Sequence, residues 1–159
     1  MMRAILFLLA VTILAGINTA IAKPSGARAV VGYWETIDDE TQKPKSIVRI
    51  YRASDGKYYG RIEELLNPEP GREDPECEKC SGKYSHYKTS NGKVIGTIIL
   101  RGLEYNADSK KWENGTIFDP KKGKEYKCEV WLEDSGLRLR GIHWTGLSRT
   151  QNWNKVEKK

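Results

Sequence analysis

The chain has 159 residues, of which 27 are Lys or Arg and 21 are Asp or Glu, so its formal net charge is +6. This length suits one domain and excludes an arrangement of several large domains. One long apolar stretch lies at the N-terminus, and the rest of the sequence contains no second stretch that could span a membrane as a helix.

Residues 1–22 are predicted to be a signal peptide. Arg3 gives a positive start, residues 4–17 are mostly apolar, and Ala20 and Ala22 form a small-x-small cleavage site. We therefore expect cleavage after Ala22, a secreted or periplasmic location and a single mature domain of residues 23–159. An uncleaved membrane anchor is the alternative, but the apolar run is short for a span.

The basic charge of the mature chain limits the class of partner. An exported protein is a poor candidate for binding nucleic acid. The charge is typical of a solvated surface, and it is also compatible with contact to anionic lipid headgroups, polysaccharide or peptidoglycan.

Beyond the signal peptide, polar and apolar residues alternate with the period of two that is typical of half-buried β-strands. The clearest example is residues 125–133, where Tyr126, Cys128 and Val130 share one face and mostly charged residues share the other. Short turns separate the strands, which favours an antiparallel meander. Eight strands are predicted, at residues 29–37, 45–52, 57–65, 93–103, 111–118, 125–133, 136–144 and 149–156.

One connection is too long for a hairpin turn. Residues 66–92 include Pro68, Pro70 and Pro75 and a concentration of acidic residues. Loops of this length are usually functional or mobile. We expect this one to cover a mouth of the folded sheet as a lid, and a short helix within it is compatible with the sequence.

The first and last strands are expected to pair and close the sheet into an up-and-down barrel. Trp34, in the motif Gly32-Tyr33-Trp34, is placed near one end of such a barrel. An arginine from the closing strand can then stack on the indole while its N–H groups bind nearby carbonyls. Arg149 is the first candidate for this barrel-closing pair with Trp34, and Arg140 is the second.

These motifs together resemble a family of exported bacterial proteins known as domain of unknown function 2147, whose members are lipocalin-like. The resemblance covers nearly the whole mature chain. It implies an all-β fold, an eight-stranded antiparallel up-and-down barrel of the lipocalin type, and no established activity. The matching segments are residues 32–41, 44–51, 59–62, 77–80, 117–128, 139–141 and 149–153.

Three cysteines leave at least one without an intramolecular partner. Cys128 lies among inward-facing residues and is predicted to be a buried thiol. Cys77 and Cys80 are disulfide candidates within the long loop, and a bond from either to Cys128 is the alternative. Acidic neighbours argue against thioredoxin-like chemistry. Cys77, Cys80 and His86 lack a standard zinc spacing, so no metal site is predicted.

We predict that the protein is not an enzyme and uses no cofactor. Its two histidines, His86 and His143, are the candidate general bases. Neither lies in a sequence pattern that would place a nucleophile and an orienting group beside it. No glycine-rich segment that could cradle a phosphate is visible in the sequence.

A closed barrel of this size is either filled by its own side chains or holds one small, largely apolar ligand. Ligand binding is the leading prediction, and a one-residue slip would invert the inward face. The alternative is a structural or interaction protein of the envelope that binds a protein or a cell-wall polymer through an outer face near Trp131. The candidate interior residues are Tyr33, Ile50, Tyr58, Ile62, Ile98, Leu100, Tyr126, Val130, Leu139 and Trp153.

Overall fold

The computed structural model describes residues 25–157, which form an eight-stranded antiparallel β-barrel. Each strand pairs with its neighbours in chain order, and the last strand returns to pair with the first. The predicted all-β, up-and-down barrel is therefore confirmed. The strands are β1 (Gly32–Ile37), β2 (Pro44–Arg52), β3 (Tyr58–Leu65), β4 (Ile98–Asn106), β5 (Lys111–Asp119), β6 (Lys124–Glu133), β7 (Gly136–Ile142) and β8 (Ser148–Val156).

The predicted signal peptide, residues 1–22, and its cleavage after Ala22 lie outside the described residues. Residues 23, 24, 158 and 159 of the predicted mature domain lie outside them as well. Within residues 25–157, no helix is long and apolar enough to cross a membrane.

Closure of the barrel depends on direct pairing of β1 with β8. Trp34 lies opposite Lys155, and Thr36 lies opposite Trp153. This pairing removes the row of unpaired N–H and C=O groups that an open sheet would expose at its edges. The connections β1–β2, β3–β4, β5–β6 and β7–β8 all lie at one end of the barrel, which we call the mouth; we call the other end the closed end.

The segment that precedes β1 plugs the closed end. The 3-10 helix Gly26–Arg28 leads to Val30, whose side chain is fully buried. Two indole N–H groups hold this segment in place. Trp112 Nε1 donates to the Ala27 carbonyl at 3.2 Å, and Trp34 Nε1 donates to the Val30 carbonyl at 2.8 Å. The predicted first strand began three residues too early, because the chain forms this plug there.

Bulky side chains fill the half of the barrel next to the closed end. Tyr58 and Trp112 meet edge to face, with ring centroids 6.2 Å apart and ring planes at 79°. Ile50 is fully buried in the same core. Gly115 makes room for this packing, since a Cβ at that position would lie 2.6 Å from the side chain of Leu103. The protein's own side chains therefore occupy this half.

The β3–β4 loop, residues 66–97, is tied down at several points. The predicted Cys77–Cys80 disulfide is confirmed, with a Cα–Cα distance of 5.3 Å, and Cys128 is a buried free thiol. The 3-10 helix Gly82–Tyr87 packs on the outside of the barrel. There the Tyr87 ring stacks on Phe118, with ring centroids 4.2 Å apart. The loop is therefore anchored to the outer face of β5.

The end of this loop occupies residues that the alternation pattern assigned to the fourth strand. The Ile95 N–H donates to the Asp74 carboxylate at 2.9 Å, and the Val94 N–H donates to the Pro75 carbonyl at 2.9 Å. These bonds hold residues 93–97 against the start of the loop. Strand β4 therefore begins at Ile98 rather than at residue 93.

Candidate ligand cavity at the mouth of the barrel

A cavity of about 740 Å³ occupies the mouth half of the barrel. Its volume falls within the range of roughly 300–1,000 Å³ that is typical of small-molecule sites. Small residues face it, namely Thr36, Ser46 and Gly141. A Cβ added at Gly141 would have Tyr126 as its nearest neighbour, at 3.8 Å. The cavity exists because the inward positions near the mouth carry small side chains, whereas those near the closed end carry large ones.

The floor of the cavity is apolar. Ile62, Leu139 and Trp153 line the cavity and also belong to the packed core, and each is at most 3% exposed. Aliphatic side chains from β4 and β5, Ile99 and Ile117, continue this lining. Burying apolar surface contributes about 25 cal/mol per Å², so such a floor favours a ligand with an apolar body.

Two buried hydroxyl groups form a polar spot on the wall made by β1 and β2. Thr36 Oγ1 and Ser46 Oγ lie 2.7 Å apart, and Thr36 Oγ1 also lies 3.3 Å from the Ser46 carbonyl oxygen. Each side chain is therefore satisfied within the protein. A hydroxyl group has two acceptor lone pairs, so this pair retains capacity to accept a hydrogen bond from a polar group in the cavity.

A chain of polar contacts runs along β8 from the floor to the rim. Trp153 Nε1 donates to Gln151 Oε1 at 3.3 Å, and Gln151 Nε2 donates to Asp39 Oδ2 at 2.6 Å. Arg149 Nε lies 3.2 Å from the same Asp39 oxygen. These contacts fix the Gln151 amide and hold the β1–β2 turn against β8. They also place a neutralised ion pair at the rim of the cavity.

A second ion pair spans the mouth. Lys122 Nζ, on the β5–β6 turn, lies 3.3 Å from Glu40 Oε1, on the β1–β2 turn. These turns belong to strands on opposite sides of the eight-stranded barrel. The carboxylate raises the pKa of the Lys122 ammonium group. Both side chains are well exposed, and exposed pairs contribute at most about 1 kcal/mol, so this contact can open at little cost.

The β3–β4 loop, which was predicted to cover the mouth as a lid, forms one side of the mouth. Pro68, Arg72 and Pro75 line the cavity there. The loop is held from outside the barrel, where the Tyr87 hydroxyl donates to the Glu125 carboxylate. Burial and this hydrogen bond raise the pKa of Tyr87 above its usual value. The loop is therefore a fixed wall of the mouth in this structure, with its helix on the outer face.

The predicted interior residues fall into three groups. Ile62, Tyr126, Leu139 and Trp153 line the cavity. The remaining buried four lie in the packed core and do not line the cavity; they are Ile50, Tyr58, Leu100 and Val130.

Tyr33 and Ile98 do not face the interior, and that part of the prediction is wrong. Tyr33 lies next to inward-facing Trp34, so the pleat turns it outward, where the Arg49 guanidinium lies 6.0 Å from its ring centroid. Ile98 pairs with Arg61, and the register between β3 and β4 shifts beside it. This irregularity places the neighbouring Ile99, rather than Ile98, against the cavity.

The predicted barrel-closing pair of Trp34 with Arg149 is also wrong. The cation over the Trp34 ring is Lys155, whose Nζ lies 5.7 Å from the ring centroid. Arg149 lies six residues earlier on β8, which is about 20 Å along an extended strand, and it pairs with Asp39 at the mouth. The second choice, Arg140, lies 3.7 Å from Glu129.

The two histidines lie at the edge of the cavity and outside it. His143 Nδ1 is 2.8 Å from Thr145 Oγ1 within the exposed β7–β8 turn. His86 Nε2 is 4.0 Å from Glu125 on the outer face of the barrel. Among residues 25–157, no three His, Cys, Asp or Glu side chains come together as a metal site would require.

Several cavity residues were not predicted from the sequence. Thr36 and Gln151 lie two positions from Trp34 and Trp153, so the period of two would have placed them on the inner face. They were not predicted because they are polar, and polar residues in a strand are usually expected on the outer face. Gly141 had no side chain to signal its role. Among the lining residues that were not predicted are Thr36, Asp39, Ser46, Ile99, Ile117, Gly141 and Gln151.

The sequence profile of a family described as "Uncharacterized protein conserved in bacteria (DUF2147)" matches residues 32–155. The chain belongs to this family. The match confirms the resemblance predicted from the motifs, and it places all eight strands almost entirely within the DUF2147 region. No curated protein matches the chain in sequence.

One solved structure is similar to this DUF2147 chain. It is described as protein HP1028 from the human pathogen Helicobacter pylori, which belongs to the lipocalin family. The two chains are 16% identical, with a TM-score of 0.60 over 80% of this chain and 83% of that chain. At this level of identity the likeness shows the fold alone, which is a lipocalin-like barrel.

Proposed function

We propose that this protein is an exported, non-enzymatic carrier that binds one small, largely apolar ligand in the mouth half of its barrel. The observation that supports this most strongly is the cavity of about 740 Å³ above a packed core. A barrel selected only for stability gains nothing from such a space, because unfilled apolar volume weakens packing.

The chemistry of the lining limits the ligand class. Ile62, Leu139 and Trp153 offer an apolar floor, which suits an aliphatic or aromatic body. The hydroxyl pair of Thr36 and Ser46 offers a weakly polar spot on one wall. A ligand with an apolar body and one uncharged or weakly polar group fits both features.

Two observations favour a carrier over an enzyme. His143 lies on an exposed turn, where it bonds Thr145, and His86 lies on the outer face of the barrel beside Glu125. The floor of the cavity, formed by Ile62, Leu139 and Trp153, offers no titratable side chain. A general acid–base mechanism needs a titratable group within hydrogen-bond reach of the reacting atoms.

Export is supported by three independent features. Residues 1–22 have the pattern of a signal peptide. The Cys77–Cys80 disulfide suits an oxidising compartment. The family is bacterial. The periplasm or the extracellular space meets all three conditions.

The alternative of an envelope interaction protein that binds through the outer strand face near Trp131 has less support. Trp131 is half-buried, and the Lys111 ammonium group covers its ring at 5.0 Å from the centroid. Its indole N–H is already bound to Glu133. The side chain is therefore engaged within the barrel surface.

A titration with N-phenyl-1-naphthylamine, an uncharged dye whose fluorescence rises in apolar surroundings, tests the proposal. We expect saturable binding of one dye per chain and displacement by a long-chain fatty alcohol, which has an apolar body and one uncharged polar group. Gly141→Leu should weaken binding about tenfold or more, because its side chain would project into the cavity. Gly141→Ala is the matched control and should bind nearly as well as the wild type.

Circular dichroism and thermal unfolding would establish that both Gly141 variants are folded. The proposal is overturned if the wild type shows no saturable binding, or if folded Gly141→Leu binds the dye and the fatty alcohol as tightly as the wild type does.

A further inference from the structure

The β7–β8 turn, residues 143–147, presents two large apolar side chains to solvent. Trp144 is 89% exposed and Leu147 is 76% exposed. Among the described residues, the only other large apolar side chain that is exposed is Val31, at 37%. We call Trp144 and Leu147 the apolar tip. An exposed tryptophan of this degree at the end of a hairpin is a feature that usually serves an interaction.

The turn that carries the apolar tip has a defined conformation. The His143 N–H donates to the Leu147 carbonyl at 2.8 Å, and the Gly146 N–H donates to the His143 carbonyl at 2.9 Å. The His143 side chain adds a bond to Thr145. With the turn held in this way, Trp144 and Leu147 stay largely exposed, so neither side chain is buried against the cavity floor.

Three exposed lysines lie on the side of the mouth next to the apolar tip. Lys121 lies on the β5–β6 turn, which neighbours the β7–β8 turn in the barrel, and Lys124 begins β6 directly after it. Lys127, also on β6, pairs with Ile142 on β7. None of the three forms an ion pair within residues 25–157, whereas Lys122 is neutralised by Glu40. Residues 119–127 hold four lysines against two carboxylates, Asp119 and Glu125, so this quarter of the mouth carries net positive charge even with Lys122 paired to Glu40.

The β3–β4 loop carries no excess of positive charge. Its residues 66–97 include five acidic side chains, Glu69, Glu73, Asp74, Glu76 and Glu78, and five basic ones, Arg72, Lys79, Lys83, Lys88 and Lys93. Strands β3 and β4 are opposite β7 and β8 in the closed strand order. A negatively charged surface would therefore be attracted more strongly to the side with the apolar tip than to the opposite side, whose loop has no net charge.

We infer that the apolar tip docks the protein on an anionic phospholipid bilayer. Tryptophan favours the boundary between headgroups and acyl chains, and a lysine near an anionic membrane contributes about 1 kcal/mol of attraction. A protein partner is less well matched, since two side chains fall far short of the roughly 800 Å² per partner that a stable protein interface buries.

The position of Leu147 connects docking to the cavity. Leu147 belongs to the apolar tip and also lines the opening of the cavity. A docked molecule would therefore present its mouth to the lipid, where an apolar ligand could pass without crossing water. This consequence rests on the proposed function, but the docking itself does not.

The test uses protein isolated after export, with its mass checked, because an uncleaved apolar leader would itself bind lipid. Vesicles of phosphatidylglycerol and phosphatidylcholine with brominated acyl chains are compared with vesicles of phosphatidylcholine alone. We expect sedimentation with the anionic vesicles, weaker binding to the neutral ones, and bromine quenching of tryptophan fluorescence. Trp34, Trp112 and Trp153 are buried, so the quenching should come from Trp144.

Variants separate the contributions. Trp144→Phe should keep most of the binding and lose most of the quenching, whereas Trp131→Phe should keep both. Joint replacement Trp144→Ser and Leu147→Ser should lower the partition coefficient about tenfold or more. Joint replacement Lys121→Glu and Lys124→Glu should weaken binding to anionic vesicles while leaving binding to neutral vesicles unchanged.

The inference is overturned if the wild type does not bind vesicles, or if the double serine variant binds them like the wild type. It is also overturned if the apolar tip instead mediates a dimer, seen as a size-exclusion shift that the double serine variant loses. Failure of ligand binding would be distinguishable, because Gly141→Leu should dock normally, and the single variant Trp144→Ser, at a residue that does not line the cavity, should still bind the dye.

Discussion

At the scale of single residues, Trp34 and Trp131 show that the contribution of a tryptophan to stability depends on where it lies in the barrel. Both indole N–H groups are hydrogen-bonded, but Trp34 is 2% exposed and bonds the Val30 carbonyl in the plug, whereas Trp131 is half-buried and bonds an exposed carboxylate. The loss of a partner is expensive only where water cannot replace it.

We therefore predict that Trp34→Phe lowers the free energy of unfolding by about 2 kcal/mol, because it leaves the Val30 carbonyl without a partner and opens a small void. Trp131→Phe, the matched control, should change it by less than about 0.5 kcal/mol. Urea denaturation monitored by circular dichroism measures both. Equal losses in the two variants would contradict the role assigned to the plug.

Cys128 supplies a prediction about pH. Burial raises the pKa of its thiol to about 12, and an unfolded cysteine titrates near 9.0. Between these values the unfolded state releases a proton that the folded state retains. The free energy of unfolding should therefore fall as pH rises through this window, by about 1.4 kcal/mol per pH unit.

The comparison of the wild type with Cys128→Val isolates this contribution, since all other titrating groups are common to both proteins. Denaturation curves at pH 8, 9, 10 and 11 should show the wild type losing stability faster than the variant above pH 9. Parallel curves across the series would show that the thiol is accessible to solvent in the folded state.

Residue-scale errors in the sequence prediction have simple causes. Tyr33 and Trp34 are adjacent and both aromatic, so residue type alone does not decide which of them faces inward. In the structure the larger side chain, Trp34, faces inward. Arginine was expected over Trp34 because its guanidinium group stacks well, but the register of β8 brings Lys155 there and carries Arg149 to the other end. Register depends on turn lengths that the sequence pattern does not fix.

At the scale of elements, the β3–β4 loop packs through a hydrophobic cluster that is separate from the core of the barrel. Cys77, Cys80, Tyr87 and Phe118 form a small apolar cluster of their own on the outer side of β5. The loop therefore contributes a wall of the mouth without being part of the main core.

Replacement of both Cys77 and Cys80 by serine should destabilise the loop locally. The small ring they close is worth about 2 kcal/mol on the loop-entropy model. Hydrogen exchange should accelerate at amides between residues 77 and 94 and stay unchanged in β2 and β6, as it should when the wild-type disulfide is reduced. Equal acceleration in those strands would mean that the loop stabilises the barrel as a whole.

The strands themselves were predictable because alternation extends over most of each one. The two strands that were predicted to start several residues too early do so where alternation continues by chance through irregular backbone. Residues 29–31 belong to the plug, and residues 93–97 are held because the Val94 and Ile95 N–H groups donate to Pro75 and Asp74. Those bonds come from residues some twenty positions away, which a local pattern does not register.

At the scale of the whole molecule, the closed barrel could be predicted from the sequence, because the first and last strands were expected to pair. The division of the barrel into a filled half and an open half could not be predicted. That division depends on the sizes of inward side chains at equal height on different strands. Tyr58 and Trp112 meet near the closed end, whereas Ser46 and Gly141 face the cavity at the mouth. Heights become comparable only once the register of every strand is known.

Native mass spectrometry of the exported protein tests the ligand-carrier account most directly, with the wild type and Gly141→Leu isolated side by side from the cell envelope. The account predicts that the wild type carries one small molecule per chain, released on denaturation, and that Gly141→Leu has the mass of the bare chain. An identical adduct on both proteins, or a bare wild-type chain that also fails to take up an added long-chain fatty alcohol, would contradict it.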